Sequence, residues 1–156
     1  MTVTTPPLVS TVWLEHNLDA DFLRVIDIRG RVLPAGEPRP HYHAHRSDYD
    51  AAHIPNALFV DWVNDITIGG EHGGMQIAAP EKFAALMSRL GIGAETWVVI
   101  YDDANGMLAA RLWWALQYYG HDRVSVVDGG WQKWLAEGRR VTDEIISVSP
   151  ASFTAV

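Results

Sequence analysis

The 156-residue sequence contains no cysteine. This absence excludes disulfide bonds, thiolate ligands for a metal and covalent chemistry on a thiol of this chain. Cytoplasmic proteins keep their thiols reduced and do not depend on disulfides, so a chain without cysteine fits that compartment. We therefore expect a cytoplasmic protein that performs no thiol chemistry by itself.

Basic residues are also scarce, because the chain has two lysines and ten arginines and a formal net charge of −7. Nucleic-acid-binding surfaces are basic, so this charge argues against a nucleic-acid partner. No apolar run approaches the roughly 20 residues of a membrane span, and the first residues show no basic or apolar region of a signal peptide. Neither a G-x-G-x-x-G stretch nor a P-loop motif occurs. We predict no membrane partner and no cofactor.

The residues that are present alternate between strand-like and helix-like stretches. Hydrophobic residues make up 48% of the chain and charged residues 20%, as in an ordinary globular domain. Pro80 at the start of PEKFAALMSRLGIG and Gly138 at the end of WQKWLAEG mark helix termini. Continuous apolar runs predict strands at LRVIDIRG, ALFVDW, WVVIYDD and RVSVVDGG. This alternation predicts an α/β fold with an open parallel sheet and helices on both faces.

Three segments divide the chain. Residues 1–7 are polar and contain proline, which predicts a disordered N-terminus. Residues 8–140 form the predicted α/β domain. Residues 141–156 have no helical period and are interpreted as a linker that leaves the domain. Within the domain, RVLPAGEPRPHYHAHR is predicted to be a loop, and the Gly-rich residues 64–77 are predicted to be a loop that forms a functional surface or docks a partner.

The stretch WVVIYDDANG, followed by MLAARLWWALQYYG, gives the clearest local signal. It predicts a strand, a tight turn and a helix, the arrangement that holds a nucleophile or an anion at a helix N-terminus. The candidate loop residues are Asp102, Asp103, Asn105 and Gly106. An aspartyl phosphatase would need D-x-D, but Ala104 occupies the third place. A receiver-type acidic pocket would need a lysine after a later strand, and both lysines lie in predicted helices.

Three further charged residues are candidates for buried ion pairs. Asp27 and Arg29 lie at the end of a predicted strand, where Arg29 could bind an anion at the edge of the sheet. The family resemblance described below implies instead that the two residues form an internal ion pair. Arg111 lies in a helix that is apolar almost all round and is therefore predicted to be buried on several sides. A buried guanidinium needs a partner, and Asp27 or Asp102 could supply the carboxylate.

Aromatic residues and histidines offer weaker signals. Trp62 and Met75, in or beside the 64–77 loop, are predicted to lie at an interface. The spacing of Trp113, Trp114, Trp131 and Trp134 within short amphipathic helices predicts that they belong to the core rather than to a binding box. His41, His43 and His45 alternate and could share one face of an extended segment that binds zinc. No cysteine, aspartate or glutamate lies at ligand spacing within this cluster, so we predict a solvated loop and no metal site.

The sequence contains the stretches VSTVWL, RVIDIR, YDAAHIPNALFVDW, APEKFAALMSRLGIG, WVVIYDD, ARLWWALQYYGHDRVSVVDGGWQKWLAEG and SPASFTA, in this order. Together these stretches resemble the rhodanese (sulfurtransferase) family over residues 8–155. HIPNA departs from the family's usual H-I-P-G-A at Asn56. The ARLWW stretch beside an aspartate-containing loop is similar to the N-terminal, non-catalytic half of two-domain thiosulfate or 3-mercaptopyruvate sulfurtransferases.

The resemblance implies a function for the whole protein rather than for this chain alone. Asp102 occupies the position of the cysteine that the catalytic half would carry, so no catalytic residue is assigned and the chain alone is expected to be inactive. The implied partner is a second, cysteine-bearing rhodanese domain in the same polypeptide, or another copy of this chain. SPASFTAV resembles the start of the inter-domain linker, which implies a chain that continues beyond residue 156.

The implied reaction transfers sulfur from a small donor, thiosulfate or 3-mercaptopyruvate, to cyanide or a thiol acceptor. In this reading the chain forms one wall of an inter-domain active-site cleft. The alternative is a stand-alone rhodanese-like module that lacks cysteine and binds an anion or a protein without catalysis.

Overall fold

The computed structural model describes residues 4–69 and 75–156. The strands in these ranges are β1 (Leu8–Val9), β2 (Leu23–Asp27), β3 (Gly30–Val32), β4 (Tyr42–Ala44), β5 (Leu58–Phe59), β6 (Trp97–Tyr101) and β7 (Val124–Val127). The helices are α1 (Thr11–Asn17), α2 (Arg46–Ala51), α3 (Pro80–Arg89), α4 (Met107–Tyr118) and α5 (Gly130–Ala136). No helix in the described ranges has the length and apolar character needed to cross a bilayer.

Five of the strands form one sheet in the order β1-β7-β6-β2-β5, and its neighbours pair in parallel. Residues on β6 alternate between the two faces. Val98 and Ile100 pack in the cluster that contains α3 and α4, and Val99 and Tyr101 pack with α1, α2 and α5. A strand buried on both faces must be apolar throughout, which explains the continuous run WVVIY. The predicted α/β fold, an open parallel sheet with helices on both faces, is confirmed.

Two elements escaped the sequence analysis. A two-residue strand, β1, precedes α1 and pairs with β7. The segment predicted as a Pro- and His-rich loop contains the antiparallel hairpin β3–β4, in which Gly30 pairs with Ala44 and Val32 with Tyr42. Strands this short carry too few residues for a recognisable alternation of apolar and polar side chains.

The start of the chain is more ordered than predicted. Residues 1–3 lie outside the described ranges, but the Thr5 hydroxyl donates to the Asp122 carbonyl at 3.1 Å, and the Val126 N–H donates to the Pro7 carbonyl at 2.8 Å. The prediction of a disordered segment over residues 1–7 is therefore wrong for residues 5–7, because they continue the pairing of β1 with β7.

The end of the chain does not leave the domain as predicted. Thr142 and His53 exchange backbone hydrogen bonds of 2.8 and 2.9 Å. Phe153 is 8% exposed and packs in the core beside α3 and α4, and the Val156 N–H donates to the Tyr119 carbonyl at 3.1 Å. Residues 141–156 are extended and pack against this domain. The residues that make these contacts follow neither a helical nor a strand period.

Candidate functional site

The loop after β6 arranges its backbone around one carboxylate. Asp102 is 2% exposed. Its Oδ1 accepts hydrogen bonds from the N–H groups of Ala104 (3.0 Å) and Gly106 (2.9 Å), and its Oδ2 accepts from Leu108 (2.9 Å) and Ala109 (2.8 Å). Leu108 and Ala109 belong to the first turn of α4, where N–H groups have no partner within the helix. The carboxylate thus satisfies the helix N-terminus and complements its dipole.

Backbone conformation explains the residue types in this turn. Asn105 has φ 56° and Gly106 has φ 85°, both in the left-handed region. Asparagine tolerates that region and glycine adopts it freely, so the chain can curl back over Asp102. Gly106 is the N-cap residue of α4 and has no side chain to cap it. The carboxylate four residues earlier supplies the missing acceptors.

Asp103 connects the same loop to neighbouring segments through hydrogen bonds. Its Oδ1 accepts from the Gly30 N–H at 3.0 Å, and its Oδ2 lies 2.7 Å from Nδ1 of His45. Its carbonyl accepts from the Gln132 side chain at 2.8 Å. Sequence reasoning considered His45 only as a possible metal ligand. Its pairing with Asp103 joins residues 58 positions apart, and no local sequence signal points to such a contact.

Asp27 and Arg29 form a buried ion pair, with Arg29 Nε 3.0 Å from Asp27 Oδ2. The Tyr101 hydroxyl also donates to this carboxylate, and the Arg29 guanidinium lies 4.0 Å from the centre of the Trp131 ring and donates to the Ala52 carbonyl. Burial raises the pKa of Asp27, and the charge of Arg29 acts in the opposite direction. Burial likewise raises the pKa of Tyr101 well above its ordinary value.

Arg111 does not pair with Asp27 or Asp102, so that prediction is wrong. The carboxylate of Asp102 is already occupied by backbone N–H groups, and that of Asp27 by Arg29. Arg111 Nη2 instead donates to the Thr67 hydroxyl at 3.0 Å. Arg111 Nε is shielded from solvent and has no hydrogen-bond partner among the described residues.

Trp62 is fully buried, so its prediction as an interface residue is wrong. Its indole N–H donates to the His43 carbonyl at 2.9 Å, and its ring lies 5.0 Å from the ring of Tyr42. The hairpin β3–β4, which the sequence analysis missed, covers it. Met75 is 47% exposed, and its role at an interface remains a prediction. Residues 70–74 of the predicted docking loop lie outside the described ranges.

The histidines of the hairpin each meet a different partner. His41 Nε2 lies 2.8 Å from the Glu37 carbonyl, and His43 Nε2 lies 2.8 Å from the Pro40 carbonyl. Within residues 4–69 and 75–156, no group of three or more histidines, aspartates or glutamates could hold a metal ion.

The family model for the Rhodanese-like domain matches residues 10–137. The chain belongs to the rhodanese family. The sulfur carrier protein TtuD of Thermus thermophilus is 36% identical over 146 residues, which cover 94% of this chain and 45% of that protein. Thiosulfate/3-mercaptopyruvate sulfurtransferase 2 of Arabidopsis thaliana is 38% identical over 158 residues, which cover 96% of this chain and 43% of that protein.

A solved structure agrees with these sequence relatives. The crystal structure of SseA from Escherichia coli, described among the 3-mercaptopyruvate sulfotransferases, superposes with a TM-score of 0.81 at 27% identity. The match covers 97% of this rhodanese chain and 56% of SseA. The resemblance to the rhodanese family that we inferred from the sequence is therefore confirmed. The relation of this chain to the sulfurtransferases is confirmed as well. The chain spans less than half the length of the two curated relatives.

Proposed function

We propose that this chain is the non-catalytic N-terminal rhodanese domain of a two-domain sulfurtransferase and forms one wall of its inter-domain cleft. The second domain lies in the same polypeptide and carries the reactive cysteine. The donor is thiosulfate or 3-mercaptopyruvate, and the acceptor is cyanide or a thiol. The name of the Arabidopsis thaliana relative supports the donor class, and the chain's share of the length of both relatives supports a second domain. The cytoplasmic location stays a prediction.

The observation that carries this proposal is the Asp102 carboxylate within its ring of N–H donors. A sulfurtransferase thiolate accepts a sulfur atom to become a persulfide, and converging N–H groups at a helix N-terminus stabilise both anions. In a cysteine persulfide the terminal sulfur is two bonds from Cβ, as Oδ is in aspartate. Asp102 can therefore fill an anion-binding loop of the same kind, but a carboxylate holds no sulfur that it could transfer.

The position of this loop supports a role at the cleft. Parallel sheets bind ligands beyond the carboxyl ends of their strands, and the loop over residues 102–106 follows such an end. Asp103 connects it to the segment after β2 through the Gly30 N–H and to the start of α2 through His45. We propose that these segments, with part of the 64–77 loop, form the wall that faces the second domain.

A sulfur-transfer assay tests the proposal. The chain incubated with thiosulfate and cyanide should form no thiocyanate above the rate without protein, whereas the complete polypeptide encoded by its gene should turn over. Turnover by this chain would contradict a non-catalytic role. A complete polypeptide without a second, cysteine-bearing rhodanese domain would favour the stand-alone binding module.

A cysteine variant tests the argument from Asp102. Asp102→Cys places a thiol among the same donors, so thiosulfate should convert it to a persulfide with release of sulfite, detectable by mass spectrometry as the gain of one sulfur atom. Asp128→Cys is the matched control, because Asp128 follows β7 as Asp102 follows β6 but is exposed. Equal loading of both variants would show that the donor ring does not favour sulfur transfer.

A further inference from the structure

The outward face of α4 borders an open cavity of about 640 Å³. Met107, Arg111, Trp114 and Tyr118 recur along α4 at intervals of three and four residues, which places them on one face of the helix. This face is not buried, since Met107, Trp114 and Tyr118 are 49%, 51% and 62% exposed, and the prediction that Trp114 belongs to the core is wrong. Ile68, Met75 and Ile77 of the neighbouring segments complete the apolar lining.

One positive charge lies in these apolar surroundings. The residues that line the cavity include Arg111 but no aspartate or glutamate among the described residues. Burial lowers the pKa of the Arg111 guanidinium, which reflects the cost of holding a charge away from water. A guanidinium in such a place gains free energy when an anion meets it.

The guanidinium is held in position rather than free to move. Its Nη2 donates to the hydroxyl of Thr67, which is 2% exposed and itself donates to the Trp62 carbonyl at 2.7 Å. This chain of hydrogen bonds anchors one nitrogen of Arg111 to the core. Nε is shielded from solvent, but Nη1 has no hydrogen-bond acceptor in the described part of the chain, so this end of the guanidinium remains for a ligand.

We propose that this cavity binds a small carboxylate that bears an apolar or aromatic group. The planar guanidinium matches a carboxylate with two parallel hydrogen bonds, and one cation among the described lining residues fits a monoanion. Trp114 and Tyr118 stack with ring centres 5.0 Å apart and an interplanar angle of 14°, so they offer a flat surface to the apolar group. An apolar lining with few polar groups and a volume of about 300–1,000 Å³ is typical of small-molecule sites.

The ligand class can be tested with three probes on this chain, so the test does not depend on the proposed function. 3-Phenylpropionate has both required groups, 3-phenylpropan-1-ol lacks the charge, and acetate lacks the apolar group. Titration followed by NMR should show saturable shifts of the Arg111 Nε–H and Trp114 indole N–H signals with 3-phenylpropionate. Its affinity should exceed that of either other probe at least tenfold. Equal affinities for the acid and the alcohol would overturn the proposal.

Variants then identify the anion receptor. Arg111→Gln should weaken binding of 3-phenylpropionate at least tenfold, and Arg111→Lys should weaken it less. Arg24→Gln is the matched control. Burial also lowers the pKa of Arg24, and its Nε has no hydrogen-bond partner among the described residues, but Arg24 lies on β2, away from this cavity. Unchanged binding by Arg111→Gln would overturn the proposal. The comparison of probes on the parent chain remains decisive if a variant does not fold.

A last variant tests for an anion supplied by the chain itself. Glu71 lies outside the described residues, between Ile68 and Met75 in the sequence. Glu71→Gln should leave the affinity for 3-phenylpropionate unchanged. A tenfold gain would identify Glu71 as the internal partner of Arg111 and would overturn the proposal.

Discussion

Two charged groups near the start of α4 are accommodated in opposite ways. The Asp102 carboxylate accepts four backbone hydrogen bonds, so its charge is fully used within the fold. The Arg111 guanidinium, about two helical turns further along, makes one hydrogen bond, to Thr67, among the described residues. A buried polar group that has all its hydrogen-bond partners stabilises the protein. A polar group that lacks partners costs free energy, and a ligand that supplies an acceptor recovers part of this cost. Asp102 is therefore a structural anion, whereas Arg111 is a candidate cation for binding a ligand.

Removal of Asp102 should have the largest effect on stability. Asp102→Ala leaves several buried N–H groups without an acceptor, each of which costs about 1–3 kcal/mol when it stays unsatisfied. Water can reach part of the loop, so we expect a loss of about 4 kcal/mol in the free energy of unfolding, measured by urea denaturation. An analogy with ordinary helix caps alone would predict about 1 kcal/mol.

Asp128→Ala is the matched control for this experiment. Asp128 also follows a strand of the sheet, but its side chain is exposed, so its removal should change stability by less than about 0.5 kcal/mol. Equal urea midpoints for the two variants would show that Asp102 is not the acceptor that holds the loop together.

Arg29 should come next, because it neutralises a buried carboxylate within the fold. Arg29→Met leaves Asp27 buried without its cation, and breaking such a pair costs about 3 kcal/mol at pH 7. Burial raises the pKa of Asp27 in the folded protein, so the folded state binds a proton more readily than the unfolded state. The stability from this group is present below its unfolded pKa and is lost as the pH rises through the folded pKa.

The pH dependence sharpens this second prediction. The Arg29→Met variant lacks the positive charge that lowers the pKa of Asp27. Its loss in free energy of unfolding, relative to the parent, should therefore grow between pH 4 and pH 7. Arg46→Met provides the control, because Arg46 and Asp50 form an exposed pair 3.2 Å apart that should contribute less than about 1 kcal/mol. A deficit for Arg29→Met that does not change with pH would rule out Asp27 as the group that titrates.

Sequence patterns predicted the parts of this structure that depend on local periodicity. Continuous apolar runs identified β2, β6 and β7, and α3 begins at Pro80 as predicted. The position of Asp102 between a strand and a helix was also evident from the sequence. A strand buried on both faces and a helix with one apolar stripe each impose a repeat that can be read from the residues.

The remaining features depend on contacts between distant residues. Trp62 belongs to a loop, and only the hairpin β3–β4 explains its burial. Phe153 enters the core from an extended segment with no period. Arg111 lies on the one face of α4 that no element of the described chain covers, and an almost uniformly apolar helix does not reveal which face that is. These outcomes follow from tertiary packing, which local patterns do not encode.

The smallest effect is expected at Arg111. Arg111→Met removes one hydrogen bond to Thr67 but also removes a charge that is costly to hold in apolar surroundings. These contributions oppose one another, so the free energy of unfolding should stay within about 1 kcal/mol of the parent value in urea denaturation. Thr67→Val keeps the charge but removes this hydrogen bond and the one from the Thr67 hydroxyl to the Trp62 carbonyl, so it should destabilise the protein more. A loss of several kcal/mol for Arg111→Met would instead mean that the guanidinium has a structural anion within the chain, and its contrast with Asp102 would disappear.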